Sequence, residues 1–182
     1  MNRVVSIVLS ALVISTLSAA PASASSSQRH CVERASTAAS THEAMRCFKT
    51  FDAAINAATG GKVHLKNASS GRQISQSELA AAGPLTTVVL SVDYHDSNFS
   101  GSTLTWYQSV GCGYYQAGSM PSGWNDVVSS VAVYSGCANT LFHDSNFGGS
   151  TFRIGVNGSA ASLGSFNDQT SSEKWCPVYP CL

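Results

Sequence analysis

The chain has 182 residues, with ten Lys and Arg against ten Asp and Glu; 11% of residues are charged and 43% hydrophobic. This excludes a disordered chain, which is charge-rich and poor in apolar side chains, and a nucleic-acid binder, because no basic patch is dense enough to neutralise many phosphates. The length suits one ordinary domain with a small appendage.

Residues 1–24 read as a secretory signal peptide. Arg3 supplies the basic start, residues 4–17 are mostly Val, Ile, Leu and Ala, and Ala22-Ser23-Ala24 is a small-x-small cleavage site. The apolar stretch is shorter than the about 20 residues a spanning helix needs, so the expectation is a secreted, extracellular protein with no membrane attachment after cleavage. All six cysteines follow this segment: Cys31, Cys47, Cys112, Cys137, Cys176 and Cys181. An even number in an exported chain reads as three disulfides. Sequence proximity suggests the pairs Cys31–Cys47, Cys112–Cys137 and Cys176–Cys181, among 15 possible connectivities. A zinc site is disfavoured, since no Cys-x-x-Cys or His-x3-His spacing occurs.

Residues 25–85 form a basic, Ala-rich extension of net charge +3. It reads as mainly helical, either a propeptide or partner-binding module or an extension packed on the main domain. Ser40 and Glu43 have capping-box spacing, and Ala44, Phe48, Phe51, Ile55 and Ala58 form one apolar stripe at helical intervals. Gly60-Gly61 would stop that helix, and residues 62–66 read as a short extended run. Ser75 and Glu78 repeat the capping-box spacing before a second helix that ends at Gly83-Pro84.

Residues 86–182 carry net charge −4 and are rich in Gly, Ser and aromatic residues. Residues 86–94, 103–107 and 127–134 are β-branched and aromatic runs of strand character, separated by Gly-, Asn- and Ser-rich turns. An internal repeat dominates this part. The ten residues from Tyr94, His95-Asp96-Ser97-Asn98-Phe99-Ser100-Gly101-Ser102-Thr103 following, return 48 positions later from Phe142 with eight identities. Trp124-Asn125-Asp126-Val127-Val128-Ser129-Ser130 returns 42 positions later as Phe166-Asn167-Asp168-Gln169-Thr170-Ser171-Ser172. The first copy therefore has six extra residues, placed around 111–123 and including Cys112. Each copy reads as a β unit whose apolar face needs the other copy for burial.

These residues resemble the βγ-crystallins, whose Greek key motif has an aromatic-x4-aromatic-x-Gly hairpin followed by Asn/Asp-Asn/Asp-x-x-Ser/Thr-Ser. Both parts occur in both copies. The resemblance implies an all-β main domain, a double Greek key β-sandwich over residues 86–176, with motif 1 about 86–135, motif 2 about 136–176, and 177–182 as a C-terminal tail. Tyr94, Phe99, Gly101 and Ser130 in motif 1, and Phe142, Phe147, Gly149 and Ser172 in motif 2, would be structural motif residues.

The Asn-Asp-x-x-Ser-Ser runs offer only oxygen ligands, which suit a hard cation such as Ca2+. The resemblance implies two Ca2+ sites, each crossed between the motifs. Ser129 and Ser171 would supply hydroxyls, Asp126 and Asp168 side chains, Val127 and Gln169 backbone carbonyls, and His95 and His143 hairpin carbonyls. Few carboxylates per site imply weak binding, about 10⁻⁵ to 10⁻³ M. The competing reading is that these runs are turns, because Asn, Asp and Ser bond to their own backbone.

The expectation is a secreted, monomeric calcium-binding βγ-crystallin domain protein in which Ca2+ stabilises the fold in a structural or stress-related role. A second reading is a metalloproteinase inhibitor, a fold-mate of actinobacterial inhibitors, acting through the 111–123 loop with its exposed-looking Tyr114-Tyr115 on a secreted proteinase. A third is a killer-toxin-like secreted toxin, a class known on this fold. An enzyme is disfavoured: no acid and base pair stands outside the repeat, and no Gly-x-Ser-x-Gly elbow or Gly-rich phosphate loop occurs.

Overall fold

The computed structural model describes residues 27–38, 43–66, 68, 70–81 and 83–181. The expected signal peptide and Ser40 of the first expected capping box lie outside the described residues. The extension supplies β1 (His30–Arg34), β2 (Arg46–Phe48), α1 (Phe51–Ala58) and α2 (Gln76–Ala80). The repeat region follows with β3 (Val88–Asp96), β4 (Ser100–Gln108), β5 (Tyr115–Ala117), β6 (Ser130–Val133), β7 (Ala138–Asp144), β8 (Gly148–Ile154), β9 (Ser159–Ala160) and β10 (Ser172–Cys176).

Among the described residues ten strands make two sheets, ordered β2-β1-β4-β3-β6-β9 and β5-β10-β7-β8. In each copy the first, second and fourth strands share a sheet, and the third crosses to the other: β5 of the first copy joins β10, and β9 of the second joins β6. This strand exchange makes the two copies one β-sandwich of two interlocked Greek keys. Between the sheets lie Leu90, Leu104, Trp106, Val131, Leu141 and Trp175, all buried, with the rings of Trp106 and Trp175 5.0 Å apart. Trp124 is buried in the same core, so none of the three tryptophans lines an exposed surface.

Both hairpins have the geometry their sequences call for. Tyr94 packs edge-on against Phe99, centroids 5.6 Å apart, and Phe142 against Phe147 at 5.5 Å. Asn98, Phe99, Asn146 and Phe147 adopt left-handed backbone with φ of 58–66°. The chain then passes through Gly101 (φ 80°) and Gly149 (φ 74°), where a Cβ would lie 2.5 Å and 2.8 Å from a carboxylate oxygen of Asp96 and Asp144.

The extension differs in detail from its sequence pattern. The first helix starts at Phe51, with the Thr50 hydroxyl accepting from Ala53 N at 3.2 Å, and Ala44 and Phe48 are not part of it. Residues 46–48 are instead drawn into a strand, because Cys47 is bonded to Cys31 and lies opposite it in the β1–β2 pair. Strand β1 then adds in parallel to the edge strand β4, with His30 opposite Thr103 and Arg34 opposite Tyr107. Residues 62–66 have no ladder partner, though Val63 and Leu65 are buried. The second helix follows its capping box: the Ser75 hydroxyl accepts from Glu78 N and the Glu78 carboxylate from Ser75 N.

A second core forms where the extension covers the outer face of the first sheet. Phe51, Ile55, Leu65, Ile74 and Leu79 pack against Val89, Val92, Tyr94, Ala132 and Tyr134. Tyr94 Oη donates to Arg72 O at 2.8 Å, and Ile74 N donates to Tyr134 Oη at 3.1 Å. The disulfides are Cys31–Cys47, Cys112–Cys137 and Cys176–Cys181, the pairs that sequence proximity suggests. Among the described residues no helix is long and apolar enough to cross a membrane.

Candidate metal centre

The two Asn-Asp-x-x-Ser-Ser runs meet at one end of the sandwich, and what holds them together is crossed. Asp126 N donates to Thr170 O at 3.1 Å, and Asp168 N donates to Val128 O at 3.0 Å. The Ser129 hydroxyl reaches the Asp168 carboxylate at 3.2 Å, and the Ser171 hydroxyl reaches that of Asp126 at 3.1 Å. Each aspartate is presented by a left-handed residue, φ 56° at Asp126 and 55° at Asp168. Each is also pinned by the preceding amide: Asn125 Nδ2 lies 2.6 Å from Asp126 Oδ2, and Asn167 Nδ2 2.7 Å from Asp168 Oδ2.

Burial follows the same two-fold pattern. Asp126 and Asp168 are exposed, Val127 and Gln169 half-buried, and Ser129, Ser130, Ser171 and Ser172 buried. The serine pair at each run divides its work. Ser129 N and Ser171 N donate to Tyr94 O and Phe142 O, while their hydroxyls face the opposite aspartate. Ser130 Oγ donates to Asp96 O at 2.7 Å and accepts from Phe99 N at 3.0 Å, so it locks its own hairpin; Ser172 does the same for Asp144 O and Phe147 N.

His95 and His143 sit at matching irregularities. The β3–β4 ladder shifts register between Tyr94 and Asp96, and the β7–β8 ladder between Phe142 and Asp144, so each histidine is the residue passed over by the pairing. Their rings turn to the neighbouring carboxylates, His95 Nδ1 to Asp96 at 3.0 Å and His143 Nδ1 to Asp144 at 2.7 Å, with all four side chains exposed. Among the described residues no three His, Cys, Asp or Glu side chains converge. Any cation here would be held by one carboxylate together with hydroxyl and carbonyl oxygens, a donor set that fits Ca2+ and not a transition metal.

Strand exchange, paired hairpins and crossed runs decide the fold type. The repeat region is a βγ-crystallin-type domain. The sequence profile of peptidase inhibitor family I36 matches residues 94–154, which span the first hairpin, the inserted loop and the second hairpin of this domain. Similar solved structures include a βγ-crystallin domain tied to the evolution of the eye-lens fold, 27% identical, covering 48% of this chain and 84% of that one, with a TM-score of 0.40. A βγ-crystallin from Ciona intestinalis is 26% identical over 46% of this chain and 94% of its own, TM-score 0.37. A domain from Clostridium beijerinckii is 21% identical over 49% and 99%, TM-score 0.36. A comparison with curated proteins finds no match. The matched profile is that of a family of peptidase inhibitors, a non-enzymatic class.

The inserted loop of this βγ-crystallin-type domain is divided differently from its sequence appearance. Tyr115 is 7% exposed, because it begins β5 and lies opposite Trp175 in the ladder, and its hydroxyl donates to Gly111 O at 3.2 Å. Tyr114 is 72% exposed. Only it remains of the expected aromatic pair on the loop surface, two residues from the Cys112–Cys137 tether.

Sequence reasoning missed two residues of the sandwich interior, Asp93 and Glu173. Both are buried, and burial pushes both carboxyls up, Glu173 further through the charge of Asp93. The available signal was Asp93 itself, a lone acid in the apolar run of residues 88–94.

Proposed function

We propose that this chain is an extracellular calcium-binding βγ-crystallin-type protein, in which two ions tie the Greek keys together at the crossed runs. The observation that carries this is the reciprocal pairing of Ser129 with Asp168 and Ser171 with Asp126, at 3.2 Å and 3.1 Å. Degenerate turns would satisfy their polar groups locally; here hydroxyl and carboxylate oxygens of different motifs converge twice. When bound, Ca2+ would supply a positive charge that several such oxygens share. Asp126 or Asp168 would bring the carboxylate, the opposing Ser171 or Ser129 the hydroxyl, and Val127, Gln169, His95 and His143 the carbonyls. The unpaired position of both histidines in the ladder supports a carbonyl role there. Three disulfides suit an oxidising compartment, in keeping with export.

Thermal melts of the oxidised protein in EDTA and in millimolar CaCl2 test this. Ligand at 100 times its dissociation constant adds about 2.7 kcal/mol per site when the unfolded chain does not bind. A calcium-specific rise in Tm of several degrees is expected, lost in Ser129→Ala/Ser171→Ala, and an unchanged Tm at every calcium concentration would refute the assignment.

The family match favours a second reading, a peptidase inhibitor that presents Tyr114. A loop tied at Cys112 to the start of β7 is held ready for binding, which lowers the ordering cost of association. Inhibition of a thermolysin-like endopeptidase is the assay. Tyr114→Ala should weaken inhibition at least tenfold with Tm unchanged, and no inhibition by the wild type would discard this reading.

A further inference from the structure

The internal repeat makes β4 and β8 the same strand in two settings. Their ladders share a register, with Tyr94 opposite Thr103 and Phe142 opposite Thr151. The outer edge of β4 is closed by β1, which runs parallel to it from His30 to Arg34. Strand β8 is the last of its sheet, and among the described residues no strand lies on its outer edge. Burial records the difference. Thr103, Leu104 and Thr105 are 0% exposed, whereas their counterparts Thr151 and Phe152 are half-buried and Arg153 is exposed.

Such an edge is open to another strand. Thr103 N donates to Arg29 O and Tyr107 O accepts from Ala35 N, so alternate residues of β4 turn their backbone groups to β1. At the same register Thr151 and Arg153 turn theirs outward from β8. Natural edges are blunted by Lys, Pro, a bulge, shortness or a cover. Strand β8 is seven residues without Lys or Pro, and its register shift lies at the hairpin end, opposite the step from Phe142 to Asp144. The other outer strands are shorter: β2 and β5 have three residues each and β9 has two.

We propose that β8 pairs with β8 of a second copy of this chain, antiparallel about a two-fold axis at Phe152, so that two sheets become one. The outward groups of Thr151 then meet those of the partner's Arg153, and the reverse, as two hydrogen-bonded pairs. Phe152 lies directly opposite the partner's Phe152, so the two half-buried rings cover one another. A register centred on Arg153 would instead set like charges face to face. Charge complementarity favours a copy of the chain as the occupant. Each Arg153 is diagonal to the partner's Gly149, and a Cβ at Gly149 would lie 2.8 Å from Asp144 Oδ2. The guanidinium passes over a position without a side chain and reaches the exposed carboxylate of the partner's Asp144. Exposed ion pairs add little affinity, and these serve to fix the register. The monomer expected from sequence would be in equilibrium with this dimer.

Sedimentation of the oxidised protein in EDTA over a series of concentrations tests this, and the chelator keeps calcium out of the measurement. The wild type should pass from the mass of one chain to that of two as concentration rises. Arg153→Pro removes an outward N–H from both copies and spares the β7–β8 ladder, whose bonds belong to Phe152 and Ile154. The dissociation constant should rise at least about tenfold. Arg153→Glu keeps that N–H, sets like charge against the partner's Asp144 and should also weaken the dimer. Amide hydrogen exchange of the wild type needs no variant to fold: Thr151 and Arg153 should exchange more slowly as concentration rises, while Ser159 on the outer edge of β9 keeps its rate. One-chain mass at every concentration, exchange at Thr151 and Arg153 that ignores concentration, or equal dissociation constants for the wild type and both variants would overturn the proposal.

Discussion

A single hydroxyl fixes each hairpin. Ser130 Oγ accepts from Phe99 N and donates to Asp96 O, both across the turn, and no water-exposed route replaces it because Ser130 is fully buried. Ser130→Ala would strand one donor and one acceptor, at about 1–3 kcal/mol each. Urea titration should show a loss of about 2–6 kcal/mol, with the equivalent Ser172→Ala close behind; a loss below measurement would mean the hairpins hold without this lock. These positions were legible in the sequence, because the sixfold runs and the hairpins repeat and each residue type has one physical reason to be there. The resemblance named Asp126, Asp168, His95 and His143 as ligands, but the left-handed backbone of the two aspartates and the passed-over place of the two histidines were not legible. Those features depend on register between strands, which no local pattern reports. Asp93 and Glu173 were equally hidden: each is an ordinary acid until the fold sets it against the other.

At the scale of elements, the extension behaves as part of the sandwich. Strand β1 occupies the edge of β4, removing an open edge of unpaired N–H and C=O groups, and α1 buries its apolar stripe on the outer sheet face. The helical period of that stripe was visible from sequence, and so was the capping box of α2. The strands were not, since β1 and β2 are short and gain their geometry from a disulfide and from pairing with β4, over 70 residues away. Ile55 is 0% exposed in this second core, so Ile55→Ala should cost about 2–5 kcal/mol. Because Tyr94 and Tyr134 span both cores' shared sheet, the loss should move one common transition, followed by tryptophan fluorescence from Trp106 and Trp175 and by far-ultraviolet circular dichroism. If fluorescence melts at the wild-type midpoint while part of the helical signal melts early, the extension is a separate unit.

For the whole molecule, two sets of acids pull stability in opposite directions with pH. The Glu78 carboxylate is lowered to about 2 by its hydrogen bond to Arg72, with Ser75 assisting. A carboxyl lowered on folding stabilises the folded state above its ordinary range, near 4.5, and that contribution fades as the pH falls toward 2. It is a modest one, since both side chains are more than a third exposed. Asp93 and Glu173 are raised, first by burial, Asp93 to about 7. A carboxyl raised on folding has the opposite sign: its folded form binds the proton more tightly, so stability is complete below the ordinary range and declines as the pH climbs through the folded value. The calcium-free protein should therefore be most stable on the acid side of neutrality, about pH 4–5. The fall toward alkali should be the steeper one, since its acids are buried and Glu78 is not. Tm recorded from pH 3 to 9 in EDTA gives the profile. A maximum at or above pH 7 would show that the buried acids hold no proton that the unfolded chain lacks.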